Sequence, residues 1–146
     1  MMKSIPVWKQ ELSGGTHAAR LASLYCCAPA ETASEAARYA AVLDGLETTF
    51  GSHTEAGLYS APGRTEIGGN HTDHQHGRVL AGSVNIDMIA AAAPNDKGQL
   101  RVQSEGYDLC IIDLDDLEAR KEEENTTASL LRGECAAFTQ RGATLT

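Results

Sequence analysis

Ala61-Pro62-Gly63-Arg64-Thr65-Glu66-Ile67-Gly68-Gly69-Asn70-His71-Thr72-Asp73-His74-Gln75-His76-Gly77 is the stretch on which the reading of this chain turns. Its four glycines, Gly63, Gly68, Gly69 and Gly77, allow tight turns and close approach of backbone to a bound molecule. Between them stand Arg64, Glu66, Asn70, His71, Asp73, His74 and His76. That set of donors and acceptors suits a small polyhydroxylated ligand or a metal ion. The residues that follow read as strand, so the expectation is a loop held in place by a rigid element.

Working outward, residues 79–93 are nearly all small or apolar, interrupted by Asn85 and Asp87. They predict a buried strand, in one piece or two. Upstream, residues 57–61 predict a short strand leading into Pro62. Before it, Ala36, Tyr39, Ala40, Leu43 and Phe50 recur at helical spacing and predict an amphipathic helix that stops at Gly51, with Tyr39 and Phe50 in the core. Thr32-Ala33-Ser34-Glu35 has the form of a capping box for that helix. Leu21, Leu24 and Tyr25 predict a shorter helix over 16–25, ended by Pro29. Downstream, residues 94–98 are turn chemistry, 100–103 a returning strand and 109–114 the next strand. The acidic run 115–124 reads as solvated surface. Leu131, Cys135 and Phe138 predict a helix over 127–140, closed by Gly142. The element order is that of an α+β fold in a single domain spanning 1–146, with no internal repeat.

The 20 acidic and 12 basic residues among 146 leave a formal charge of −8. No basic stripe exists for a nucleic-acid partner. No apolar run approaches the roughly 20 residues of a membrane span, and the first residues lack a signal-like apolar core, so the expectation is no membrane and a cytoplasmic location. Cys26 and Cys27 are adjacent and Cys110 and Cys135 stand far apart, which predicts reduced, mostly buried thiols and neither a zinc ribbon nor a redox pair.

For the glycine-rich stretch the residue types allow a metal site, because His71, Asp73, His74 and His76 fall within six residues. His71 and His76, however, fit neither the i, i+4 spacing of helical ligands nor the alternation of a strand. A plain connecting loop is the other reading, although seven polar side chains between four glycines are poor material for a mere connection.

Gly63-Arg64, Ile67, Gly69, His71-Thr72-Asp73 and Gly77, preceded by Ala61-Pro62, closely resemble the first signature of the galactokinases, Gly-Arg-Val-Asn-Leu-Ile-Gly-Glu-His-Thr-Asp-Tyr-Asn-x-Gly. The surrounding elements follow the family's order over residues 35–142. The resemblance implies membership of the superfamily of galacto-, homoserine, mevalonate and phosphomevalonate kinases. With it comes the N-terminal part of a ribosomal protein S5 domain 2-like fold, a mixed or antiparallel sheet with helices on one face. It implies transfer of the γ-phosphoryl of Mg-ATP to the anomeric hydroxyl of galactose or a related sugar. Arg64 then lies beside the reacting hydroxyl, where a guanidinium would stabilise the developing charge. Glu66, Asn70, His71 and Asp73 are the further sugar-binding positions, and a carboxylate like Asp73 can accept from two ring hydroxyls at once.

The chain departs from the family at Glu66 for Asn, Asn70 for Glu and His74 for Tyr. These changes imply an altered sugar preference, or a member that senses sugar without phosphorylating it. The family's phosphate loop, Gly-Leu-Ser-Ser-Ser-Ala, and its catalytic aspartate and magnesium ligands have no counterpart in these residues. ATP and Mg2+ are thus expected as cofactors of the full-length enzyme and not of this chain, which reads as an N-terminal portion inactive by itself. Such a portion exposes a sheet edge and apolar helix faces, so self-association is expected. A non-catalytic sugar-binding or regulatory module of the same fold is the alternative.

Overall fold

Two compact units, Met1–Ala93 and Pro94–Thr146, make up the chain; the computed structural model describes residues 1–52, 55–69 and 76–145. The first unit begins with a two-residue strand, β1 (Met2–Lys3), and a helix, α1 (Ile5–Ser13). Pro6 stands in the first turn of α1, where its missing N–H has no partner to lose. Ile5, Trp8 and Leu12 recur at three and four residues, and all three are buried. The sequence reading did not extract this helix. α2 (Ala18–Tyr25) follows and ends because Cys26 adopts a left-handed conformation, φ 55°. Pro29 therefore does not end α2 but opens a single 3-10 turn, Pro29–Glu31. Leu21, Ala22 and Tyr25 are buried, whereas Leu24 is exposed.

α3 (Ala33–Phe50) is the long helix of the unit and stops at Gly51, whose φ is 85°. The expected capping box at Thr32 does not form. The Thr32 hydroxyl instead donates back to Pro29 O at 2.9 Å, and it is the Glu31 carboxylate that accepts, from Ala28 N–H. Tyr39, Leu43 and Leu46 form the buried stripe of α3, with Ala36, Ala40 and Phe50 packed beside it. Together with Ile5, Trp8, Leu12, Leu21, Tyr25 and Ala56 they make one core. Ile5 and Leu43 are almost wholly removed from water, and each such side chain contributes about 2 kcal/mol of burial free energy. Polar ties align the layers: the Trp8 indole N–H donates to Ala56 O at 2.8 Å, and Lys9 bridges to Asp44 and Glu47 on α3.

The sheet beneath these helices is antiparallel, in the order β1, β2 (Ala56–Gly68), β3 (Leu80–Ala92). Leu58, Ile89 and Ala91 pack against the helical core. On the other face of the same strands Tyr59, Ile86 and Met88 are exposed. The expectation of a buried strand over 79–93 is thus corrected. β3 is one continuous strand, covered on a single face, because all the helices of this unit pack on one side.

The second unit holds β4 (Gln99–Val102), β5 (Cys110–Asp113) and α4 (Thr127–Gln140). Turn chemistry before β4 is as expected: Asn95 Oδ1 accepts from Lys97 N–H, and Gly98 has φ 62°. β4 nevertheless pairs antiparallel with β5 and not with β3, so the expected return hairpin after Pro94 is a separate two-stranded sheet. α4 is capped by the Thr126 hydroxyl, which accepts from Ser129 N–H. Ile112 and Cys135 are buried, but Phe138, expected on the inner stripe, is exposed. The acidic run is only partly solvated. Glu123 takes both Nε and Nη2 of buried Arg132, at 2.8 and 2.7 Å, while Arg132 Nη1 donates to Asp116 O.

All four thiols are free, yet only Cys135 is buried. Cys27 and Cys110 are half-buried and Cys26 is exposed, which corrects the expectation of mostly buried cysteines. No helix among the described residues is long and apolar enough to cross a membrane.

Candidate functional site

The glycine-rich stretch is not a loop throughout. Its first half, through Gly68, continues β2 as strand paired with β3. The pairing overrides the local preference of Pro62, Gly63 and Gly68, because a 13-residue partner strand supplies hydrogen bonds along most of its length. Two irregularities interrupt the register, between Pro62 and Arg64 and between Glu66 and Gly68. At the first, β2 advances from Pro62 to Arg64 while β3 advances from Asp87 back to Ser83, so Val84, Asn85 and Ile86 stand against Gly63 alone. A Cβ on Gly63 would lie 3.0 Å from Ile86 O and 3.2 Å from Val84 Cγ2. Glycine is needed there because a bulge leans on its backbone.

Gly69 closes the mouth of the hairpin. Its φ is 107°, and a Cβ there would come within 2.5 Å of Arg78 O and 2.8 Å of Val79 Cα. The two arms of the connection therefore meet backbone to backbone at this residue. His76, on the returning arm, is an exposed residue with φ 61°.

Of the five sequence-predicted site residues, Arg64 and Glu66 lie on β2, opposite Ser83 and Ala81. They are two residues apart in an unbroken run of pairing and so share one face of the strand. Arg64 is exposed and Glu66 half-buried. Asn70, His71 and Asp73, and with them His74, lie outside the described residues. The described residues bring together no cluster of three or more His, Cys, Asp or Glu able to hold a metal ion.

What sequence reasoning missed is the carboxylate beside the bulge. Asp87, opposite Pro62 on β3, has a side chain only 3% exposed. It accepts from the Tyr25 hydroxyl at 2.6 Å, the Ser60 hydroxyl at 2.5 Å and the Arg38 guanidinium at 3.1 Å. The Tyr39 hydroxyl lies 3.2 Å from that of Tyr25, and Glu35 holds the other side of Arg38. Burial opposes the charge on Asp87, but the hydrogen bonds from Ser60, Tyr25 and Arg38 outweigh it and hold the carboxyl below its ordinary range. Burial, and then donation to Asp87, push the Tyr25 phenol well above its usual value, so it remains a donor. One carboxylate thereby joins α2, α3, β2 and β3. The available signal was Asp87 itself, a lone acid in an apolar strand, which must find partners if buried.

Residues 46–94 match the family model of the galactokinase galactose-binding signature. The chain is similar to galactokinases. It is 31% identical to the galactokinase of Bacillus subtilis (strain 168) over 98 residues, covering 65% of this chain and 25% of that one. To the galactokinase of Ligilactobacillus salivarius (strain UCC118) it is 35% identical over 83 residues, covering 55% and 21%. The Lactobacillus helveticus galactokinase is 28% identical over 78 residues, covering 52% and 20%. The chain thus spans a fifth to a quarter of the length of these curated galactokinases. No solved structure matches it significantly.

The galactokinase signature coincides with a structural unit: the last turn of α3, β2, the connection and all of β3. Ser60, Arg64, Glu66, Gly69 and Asp87 fall inside it, whereas Tyr25 and Arg38 lie outside and reach in through the carboxylate.

Proposed function

We propose that this galactokinase-like chain carries the sugar-side machinery of a kinase that phosphorylates the anomeric hydroxyl of galactose or a related monosaccharide. The observation that supports this reading most is the coincidence of the galactose-binding signature with the β2–β3 hairpin, closed at its mouth by Gly69 and exposing Arg64. In this reading Arg64 supplies a fixed positive charge beside the reacting hydroxyl, and Glu66, Asn70, His71 and Asp73 bind the sugar. An amide at Asn70 donates as well as accepts, which would shift preference among sugars that differ in hydroxyl orientation. A ribosomal protein S5 domain 2-like fold belongs to the same reading and is supported by the antiparallel sheet with helices on one face; a cytoplasmic location is part of the same proposal.

ATP and Mg2+ would act in the whole enzyme. The sequence contains no phosphate loop, and the described residues gather no metal-holding cluster. The test is calorimetric titration of the chain with galactose and its epimers, beside a coupled assay of sugar-dependent ATP consumption. Saturable sugar binding without turnover is expected, and it should weaken in Arg64→Ala and Asp73→Ala. Absence of binding to any monosaccharide would overturn the reading. Stoichiometric zinc in elemental analysis would favour the histidine cluster as a metal site instead.

A further inference from the structure

We propose that Asp87 is a positioning residue that sets the direction in which β2 presents Arg64. The proposal rests on the reading of Arg64 as the sugar-side guanidinium. Its basis is the place of the carboxylate in the hairpin. Asp87 stands opposite Pro62, the last regular pair before the bulge, and Arg64 is the first residue paired after it. Across this bulge the alternation of β3 changes phase. Asp87, Ile89 and Ala91 are the half-buried positions on one side of it, Gly82 and Val84 on the other, with Asn85 and Ile86 both exposed between them. A bulge that shifts the phase decides which face the following pairs present. Its geometry is therefore what aims the strand carrying Arg64.

An apolar residue at position 87 would meet the packing requirement. Leu58, Ile89 and Ala91 do so on the same face, and replacing a buried charged group by a well-packed apolar one is often neutral for stability. What apolar contact lacks is direction. Three hydrogen bonds arrive at Asp87 from three other elements, Tyr25 on α2, Arg38 on α3 and Ser60 on β2. Ser60 and Asp87 tie the two strands side chain to side chain on the near edge of the bulge, and the two helix residues fix that tie to the core. Gly63, pressed against Ile86 O, passes the constraint to the neighbouring Arg64.

The experiment is backbone amide hydrogen exchange by NMR on the 15N-labelled chain, beside a galactose titration, for wild type, Asp87→Asn, Asp87→Glu and Ser60→Ala. Asp87→Asn is expected to raise exchange about tenfold or more at Arg64, Thr65 and residues 83–86, and to leave Leu43 and Leu46 of α3 unchanged. Galactose affinity should fall in parallel, Ser60→Ala should show a smaller change at the same amides, and Asp87→Glu should recover part of both effects. A uniform rise across Met1–Ala93 would make Asp87 a merely structural residue and overturn the proposal, as would unchanged exchange around the bulge. Should Asp87→Asn fail to fold, Tyr25→Phe, which removes one donor only, is read by the same criteria. Local exchange changes in a chain that binds no sugar even as wild type would instead overturn the kinase reading while upholding the role of Asp87 in aiming β2.

Discussion

Gly69→Ala tests directly whether the hairpin mouth is built as described. Two costs arise at that residue. At φ 107° an L side chain is strained, which costs about 1–2 kcal/mol. The new Cβ would also stand 2.5 Å from Arg78 O and 2.8 Å from Val79 Cα. Both are backbone atoms that cannot rotate away, so the arms must part, at a further cost on the order of 2 kcal/mol. The expected loss is therefore about 3 kcal/mol, on the order of 15 °C in melting temperature for a unit of this size. Buried Trp8, hydrogen-bonded to Ala56, gives a fluorescence signal for unfolding of this unit. Two neighbouring comparisons separate the terms. Gly15 has φ 74° but nothing within 4 Å of a Cβ, so Gly15→Ala should lose only the conformational part, about 1 kcal/mol. Gly68 has neither a positive φ nor a close neighbour, and Gly68→Ala should fall within about 0.5 kcal/mol of wild type. If urea titration found Gly69→Ala no worse than Gly15→Ala, the backbone-to-backbone closure at the hairpin mouth would be wrong.

Because the Asp87 carboxyl is held below its unfolded value, its contribution to stability is present above about pH 4 and is lost as pH falls below that. Melting curves from pH 6 to 3 should therefore show a flatter acid limb in Asp87→Asn than in wild type. Glu11, whose carboxyl is lowered by Lys3 and His17, supplies part of the slope that remains. Equal slopes in the two proteins would show that Asp87 is not charged in the fold. Thiol titration of the native protein should modify Cys26 first and Cys135 last, since Cys135 is buried and burial pushes its thiol pKa up; simultaneous modification would contradict the packing of α4.

Much of the fold was legible. The helical stripes through Tyr39 and Leu43 and through Leu131 and Cys135, the glycine stop at Gly51 and the Asn95–Gly98 turn all lie within a few consecutive residues, where periodicity and turn chemistry act. α1 was equally local, with Ile5, Trp8 and Leu12 recurring at three and four residues behind a proline that suits a first turn, and could have been read from the sequence. The strand through residues 61–68 was not legible. Its glycines and proline argue for a loop until the 13-residue partner strand is known. The partner of β4 was hidden for the same reason, since two strands on either side of a turn pair only if nothing better is available.

For the candidate site the division is sharper. The residue types and order of the signature, from Gly63-Arg64 to His71-Thr72-Asp73, are a property of the sequence alone, and they carry the kinship to galactokinases. That Arg64 sits on a paired strand beyond a bulge, and that Asp87 gathers donors from residues 25, 38 and 60, was decided only by tertiary structure. A motif is a local string, whereas the burial that forces a carboxylate to find partners, and the strand pairing that shifts the phase of a bulge, depend on segments far away along the chain.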